Sequence, residues 1–309
     1  MATRLRALLV VLWLGCCSVV ADAASVVIVT SERSPAHVEA LQALVDDLER
    51  AGVARSDMLQ LTASEWASAA PLSPRLFITL GAEAAAALAK KELRAPLLCT
   101  LLPRSSFERV MLQSARQPSA HFSALYLDQP LARQLDLIAL ALPAARRIGV
   151  VWGPESQTQT APLRVLLRAR GLELVDAGAP RDELLSPALK RVLADADVLL
   201  ALPDPQVYNS NTIQNILLSS FRSGVPLVAF SPAYVRAGAL LALYETPAQV
   251  GQQTAIIARG VLQGKPLPAL PQYAREFSVA VNEHVARSLG LRLNADALRE
   301  QLRRREVQP

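Results

Sequence analysis

Cysteine is nearly absent from this 309-residue chain, which has three, two of them at Cys16 and Cys17. Beyond those only Cys99 remains, so the rest of the chain holds no internal disulfide. Histidine is as scarce. His37, His121 and His284 lie far apart with no metal-ligand spacing, and no metal or other cofactor is expected. No GxGxxG follows a strand-like run, and neither GxxxxGK[ST] nor GxSxG occurs, which removes the ready-made dinucleotide, P-loop and nucleophile-elbow sites. Aromatic residues make up 5% of the chain, which disfavours a platform of several stacked rings. Charge of one sign is not in large excess either. The formal net charge is +5, and much of it sits between Arg299 and Arg304. That stretch reads as a solvated helix face. With no interleaved aromatics or Gly-Arg runs, nucleic acid is not an expected partner.

What is present begins with a leader. Arg4 and Arg6 precede the uncharged apolar run 7–20, and Ala21-Asp22-Ala23 offers the small residues of a cleavage site. The expectation is a secretory signal over residues 1–23, cut after Ala23, and hence a periplasmic protein. The run is shorter than the ~20 residues of a membrane span. A lipid anchor at Cys16 ranks second, because Trp13 and Leu14 suit a lipobox poorly. No later run approaches spanning length. An exported chain without disulfides fits a bacterial periplasm. Cys99, inside Pro96-Leu97-Leu98-Cys99-Thr100, reads as a small core residue.

The remaining roughly 285 residues are enough for one or two domains. The β-branched run Ser25 to Thr30 predicts a buried strand, and Ser34-Pro35 predicts a helix start. Leu41, Leu44, Val45 and Leu48 recur at helical spacing up to Gly52. Strands are predicted at Asp57–Leu61, Arg75–Leu80, Pro96–Leu101 and His121–Leu127, with a helix over Ala82–Leu93. The pattern then restarts. Helices are predicted at Leu131–Leu142, Pro162–Arg170, Ser186–Leu193, Asn209–Arg222 and Pro247–Leu262. Between and after them, strands are predicted at Arg147–Trp152, Leu172–Val175, Asp197–Leu202, Val225–Phe230, Ala239–Leu243 and Phe277–Val281. Two short helices, Asn282–Ser288 and Asn294–Arg304, complete the set. This alternation implies an α/β chain with parallel sheets flanked by helices. The expected division is an N-terminal lobe over 24–127, a C-terminal lobe over 128–246, and a segment 247–309 holding a helix that crosses back towards the N-terminal lobe. Two lobes joined without a Gly/Ser linker make a hinged cleft.

The chain resembles the substrate-binding proteins of ABC transporters, in the subfamily that includes tryptophan-binding lipoproteins. The residues that carry the resemblance run from Leu142-Pro143 through Ile148-Gly149-Val150, Asp197-Val198-Leu199-Leu200, Pro203-Asp204 and Gly224-Val225-Pro226-Leu227-Val228-Ala229. They continue at Gly251, Leu262-Gln263-Gly264-Lys265-Pro266 and Val281-Asn282. The N-terminal half matches mainly through Leu80-Gly81-Ala82. The resemblance implies a type I periplasmic binding protein fold, two Rossmann-like lobes around a hinge, and a small-molecule ligand. The chain departs from the family at Gly153-Pro154-Glu155-Ser156-Gln157 and at Tyr244-Glu245-Thr246-Pro247, both cleft-side loops there.

Candidate ligand contacts follow from strand ends, where α/β sheets hold their ligands. Gly81-Ala82 opens a helix whose free N–H groups suit an anion, or is an ordinary tight turn. Ser31 and Thr100 end neighbouring strands and would face the cleft or cap a turn. On the other lobe, Gly153 and Ser156 follow the Trp152 strand. Asp204, between two prolines, would accept hydrogen bonds from a ligand or form a turn. Ser231, Tyr234 and Tyr244 end further strands and offer hydroxyls and ring faces, or belong to the core. The first functional reading is a monomeric periplasmic receptor that traps a small polar or aromatic solute and presents it to an ABC permease. The second is a sensory or accessory protein acting with a receptor kinase or an outer-membrane importer. The third, a secreted α/β enzyme, needs a nucleophile–base pair in the cleft. No catalytic residue is assigned.

Overall fold

The continuous apolar strands are explained by where their alternate residues go. In the computed structural model, which describes residues 24–70, 72–179 and 185–307, Val27 and Val29 of β1 (Val26–Thr30) enter one apolar layer and Val26 and Ile28 enter the other. A strand covered on both faces by helices has no polar face to show. The leader expected over 1–23 lies outside the described residues.

After β1 come α1 (Pro35–Arg50), β2 (Met58–Thr62), α2 (Ala63–Ala67), β3 (Leu76–Leu80), α3 (Ala82–Ala89), β4 (Leu97–Leu102), α4 (Arg104–Ser114) and β5 (Phe122–Tyr126). The chain continues through α5 (Leu131–Ala141), β6 (Arg147–Trp152), α6 (Thr160–Ala169), β7 (Glu173–Gly178), α7 (Leu185–Asp195), β8 (Val198–Leu200), α8 (Ile213–Arg222), β9 (Leu227–Ala229), α9 (Pro232–Ala237) and β10 (Leu241–Tyr244). It closes with α10 (Pro247–Leu262), β11 (Gln272–Tyr273), β12 (Ser278–Val281), α11 (Glu283–Ser288) and α12 (Ala295–Val307).

These strands form two six-stranded sheets, ordered β2-β1-β3-β4-β5-β11 and β7-β6-β8-β9-β10-β12. All pairings are parallel except β10 with β12, where Leu241 faces Val281 and Tyr244 faces Ser278. The chain therefore passes from the first sheet to the second after β5, returns after β10, and passes over again after β11.

On the first sheet, α3 and α4 cover one face through Ala84, Ala85, Leu88, Phe107 and Val110. The other face is covered by α1 and the returning α10, through Leu44, Val45, Leu48, Ala255 and Ala258. The return is sharply defined. Thr246 and Gln249 form a reciprocal capping box, and Pro247 stands in the first turn. Gly251 lets α10 press on α1, because a Cβ there would sit 2.3 Å from the carbonyl oxygen of Ala40.

Three helices have no counterpart in the sequence pattern: α2, α4 and α9. The helix expected over Asn209–Arg222 starts only at Ile213, because the Asn209 side chain accepts from the backbone N–H groups of Asn211 and Thr212 and closes a turn first. α3 stops at Ala89 rather than Leu93.

Gly251→Ala is expected to lower stability by about 2 kcal/mol, since backbone rather than a flexible side chain meets the added methyl. Chemical denaturation of the variant against the wild type measures it.

Candidate functional site

The carboxyl ends of β4 and β5 meet those of β8, β9 and β10. Between them lies a cavity of about 90 Å³, lined by Pro103, Leu127, Asp128, Gln129 and Gln134 on one side and Pro203, Phe230 and Leu243 on the other. Each lining residue except Gln134 lies in the last two residues of a strand or within three residues after one, so the cavity is where the carboxyl ends of the two sheets point at each other.

Its floor is polar and tightly organised. Gln129, 5% exposed, takes a hydrogen bond from the guanidinium of Arg133 at 2.7 Å while its own amide nitrogen has no partner. Arg133 also donates to the carbonyl of Ala274 at 2.9 Å, pairs with Glu306, and lies over the Phe277 ring at 4.6 Å. Glu245 receives the amide of Gln253 at 2.8 Å on one oxygen, and its other oxygen has no partner. Gln253 in turn accepts from the backbone N–H of Arg275 at 2.9 Å. Gln129, Glu245 and the Ala274–Arg275 pair stand on the three crossings, so these residues tie the hinge. Burial pushes the Glu245 carboxyl up to about 8, the Arg133 charge and the Gln253 bond pulling partly against it. Burial likewise raises the Asp128 carboxyl to about 6, against the N–H of Arg104.

An aromatic group borders the cavity on the second sheet. Phe230 packs edge-on against Tyr234 at 5.1 Å and Tyr208 at 5.9 Å. The Tyr234 hydroxyl donates to the Tyr208 carbonyl at 3.2 Å, and the buried Tyr208 hydroxyl has no partner.

Of the residues singled out from sequence, Ser31, Gly81 and Ala82 come together. Ser31 accepts from the Ala84 N–H at 3.0 Å and so caps α3, while Gly81, at φ +97°, has the Ser31 hydroxyl and His37 Nε2 against its Cα. Ser231 caps α9, accepting from the Ala233 N–H at 3.2 Å. Tyr234 is half-buried in the aromatic group, and Tyr244 ends β10, also half-buried.

The remaining four take roles other than the expected open cleft wall. Thr100 is fully buried, and its hydroxyl engages Thr254 of α10 at 3.1 Å; its place on β4 turns it to the helix layer. Asp204, 2% exposed, has both oxygens occupied. One accepts from the backbone N–H groups of Glu155 and Ser156 and from the Ser156 hydroxyl at 2.8–3.0 Å, the other from the Gln206 N–H at 3.0 Å. Ser156 is itself fully buried. Gly153 is pressed so close that a Cβ would lie 2.3 Å from that carboxylate. Gly153, Ser156 and Asp204 thus form an internal brace. Asp204 is engaged within its own lobe, with three donors on one oxygen and one on the other.

Gln129 and Phe230 line the cavity, and Tyr208 and Glu245 are the buried polar side chains packed or bonded beside them; strand-end reasoning did not select any of the four. A lone acid directly after an apolar strand, as at Glu245, is the signal that marks one of them. Cys99 is buried and its thiol is pushed up to about 12, which leaves it a core residue. Among the described residues no group of three or more His, Cys, Asp and Glu side chains is placed to hold a metal ion, and no helix is long and apolar enough to cross a membrane.

Comparison with known proteins agrees with this architecture. The model of a family described as ABC transporter substrate binding protein matches residues 28–303. No curated protein matches the chain. Among solved structures, a conserved domain protein from Vibrio cholerae O1 biovar El Tor N16961 is 22% identical, with a TM-score of 0.63 over 89% of this chain and 97% of that one. An ABC domain from Streptococcus pneumoniae in complex with L-Trp is 16% identical, with the same score and coverage. A ligand-free, open substrate-binding protein with adhesive properties from Clostridium difficile is 18% identical, with a TM-score of 0.70 over 88% of this chain and 96% of that one. At these identities the likeness is one of fold, and the fold is that of the type I periplasmic binding proteins.

Two outcomes follow. Asp204→Ala is expected to lower stability by about 3 kcal/mol in urea denaturation, since it leaves several buried donors unpaired. The Glu245 proton is kept by the folded chain at pH values where the unfolded chain has lost it, so stability falls as pH rises from an ordinary 4.5 towards about 8 and then levels. Glu245→Gln is expected to remove that part of the fall, read as a flatter profile of melting temperature against pH.

Proposed function

From the premise that this chain belongs to the ABC transporter substrate-binding protein family, we propose that it is a periplasmic solute-binding protein. It captures a small polar or aromatic solute between its two lobes and presents the closed form to an ABC permease. The observation that carries this reading is the cavity between the two sets of strand ends, lined by Asp128 and Gln129 on one side and by the Phe230 ring on the other.

The lobes are 24–127 and 128–246, with 247–309 supplying the helix that returns to the first lobe, the last strands and the C-terminal helices. Phe230, Asp128 and Gln129 line the closed cavity; Ser31, Gly81 and Ala82 of the first lobe and Ser231, Tyr234 and Tyr244 of the second stand outside that lining and reach the solute when the lobes part. The cavity of about 90 Å³ is well below the ~300–1,000 Å³ of ordinary small-molecule sites. A solute as large as the tryptophan held by the pneumococcal neighbour therefore enters only when the lobes part. Solute contacts to both lobes then favour reclosure, which is how occupancy becomes a shape that a partner reads.

A thermal-shift screen of amino acids, nucleosides, sugars and short peptides tests the reading. A cognate solute at a hundredfold excess over its Kd is expected to add roughly 2.7 kcal/mol of stability. Tyr244→Ala and Phe230→Ala are expected to fold and to lose most of that response. Silence across every class would sink the proposal.

A further inference from the structure

Glu155 stands on the loop after β6, in the Gly153 to Gln157 segment. Its backbone is fixed, because its N–H and that of Ser156 both bind the Asp204 carboxylate. Its side chain leaves the second lobe and reaches α4 of the first. One carboxylate oxygen accepts from the Ser105 hydroxyl at 2.9 Å, and the other pairs with the guanidinium of Arg109. Arg109 is steadied on its own helix by a second bond, from Nη2 to the buried Ser106 hydroxyl at 3.3 Å. Ser105 lies in the first turn of α4, where the helix field attracts negative charge.

Away from the three crossings, and apart from the Ser278 hydroxyl of β12 donating to Gln249 of α10 at 3.2 Å beside them, these are the side-chain hydrogen bonds that join the two walls among the described residues. Both converge on a single carboxylate with 22% of its side chain exposed, so the pair is partly shielded from solvent.

We propose that Glu155, Ser105 and Arg109 form a clasp that holds the cleft shut without solute. The inference rests on the solute-binding reading and adds its regulation. Solute entry requires the clasp to open, and the resting chain already populates the closed shape. A brace of buried hydrogen bonds holds the clasp's anchor in place, so breaking it moves only one side chain on the second lobe. The closed fraction is then set by a protein–protein contact as well as by occupancy.

The test needs no solute. Small-angle scattering gives the radius of gyration, and hydrogen exchange gives the protection of amides at 104–109 and 154–157. Wild-type protein is expected to scatter as the closed form. Glu155→Gln and Arg109→Gln are each expected to expand the particle and to raise exchange in both segments about fivefold, the scale of losing one partly exposed ion pair. The charge swap Glu155→Arg with Arg109→Glu is expected to recover compactness. Circular dichroism identifies a variant that has failed to fold, and the other single variant then decides. Wild-type scattering of an open form, or single variants that superimpose on a closed wild type, would overturn the clasp. Neither result bears on whether a solute binds, so a silent thermal-shift screen and a failed clasp remain distinguishable.

Discussion

The carboxylate of Asp204 gathers donors from two separate strand-end loops, and much of the second lobe's cleft edge takes its position from that one group. Buried at 2% exposure, it is held by hydrogen bonds that run mostly to backbone. Gly153 has no side chain because the carboxylate occupies the space. The backbone of Glu155 is oriented by the same oxygen that binds Ser156. The turn into Tyr208 starts from the Asp204 carbonyl, which receives the Tyr208 N–H at 2.8 Å. A low-dielectric interior makes such a network effective when every member is paired. Both Tyr208 of the aromatic group and Glu155, whose carboxylate reaches the other lobe, are therefore placed through backbone bonds to Asp204.

The hinge follows a different rule. Three chain crossings bring Gln129, Glu245 and Ala274–Arg275 into one buried cluster around Arg133 and Gln253. Unlike the Asp204 brace, this cluster is incompletely satisfied: one oxygen of Glu245 and one nitrogen of Gln129 lack partners. Burying an acid without full pairing favours its protonated form. The rigid brace and the unsatisfied hinge divide the labour between an edge that must hold its shape and a floor that must meet something else.

The alternation of strands and helices was legible because the central strands are covered on both faces, so their residues form short apolar runs, with plain punctuation at Gly52, Gly171 and Gly264. The helix α4 was not, since its exposed face carries Arg104, Glu108 and Arg109 and only Phe107 and Val110 mark its buried side. Strand-end reasoning put Ser31, Gly81 and Asp204 at the correct end of the sheets. It could not tell a side chain free at a strand end from one already bonded inside, and Thr100, Asp204, Ser31 and Ser231 all have protein partners. The hinge residues were illegible for a related reason. Gln129, Glu245 and Arg275 are far apart in sequence and meet only because the chain crosses three times.

Those crossings also bear on how the chain assembles. One edge strand of the first sheet is β11 and one of the second is β12, both contributed by the last part of the chain, while β2 and β7 form the opposite edges. Until that part has been made, β5 and β10 present bare edges that invite pairing with other chains. Neither lobe is an independent folding unit in the order of synthesis, and α10 must reach back to α1 across most of the sequence. Such long-range closure slows folding. The same topology that builds a hinge thus keeps a newly made chain open longer, and leaves it dependent on being shielded until residue 281 has joined its sheet.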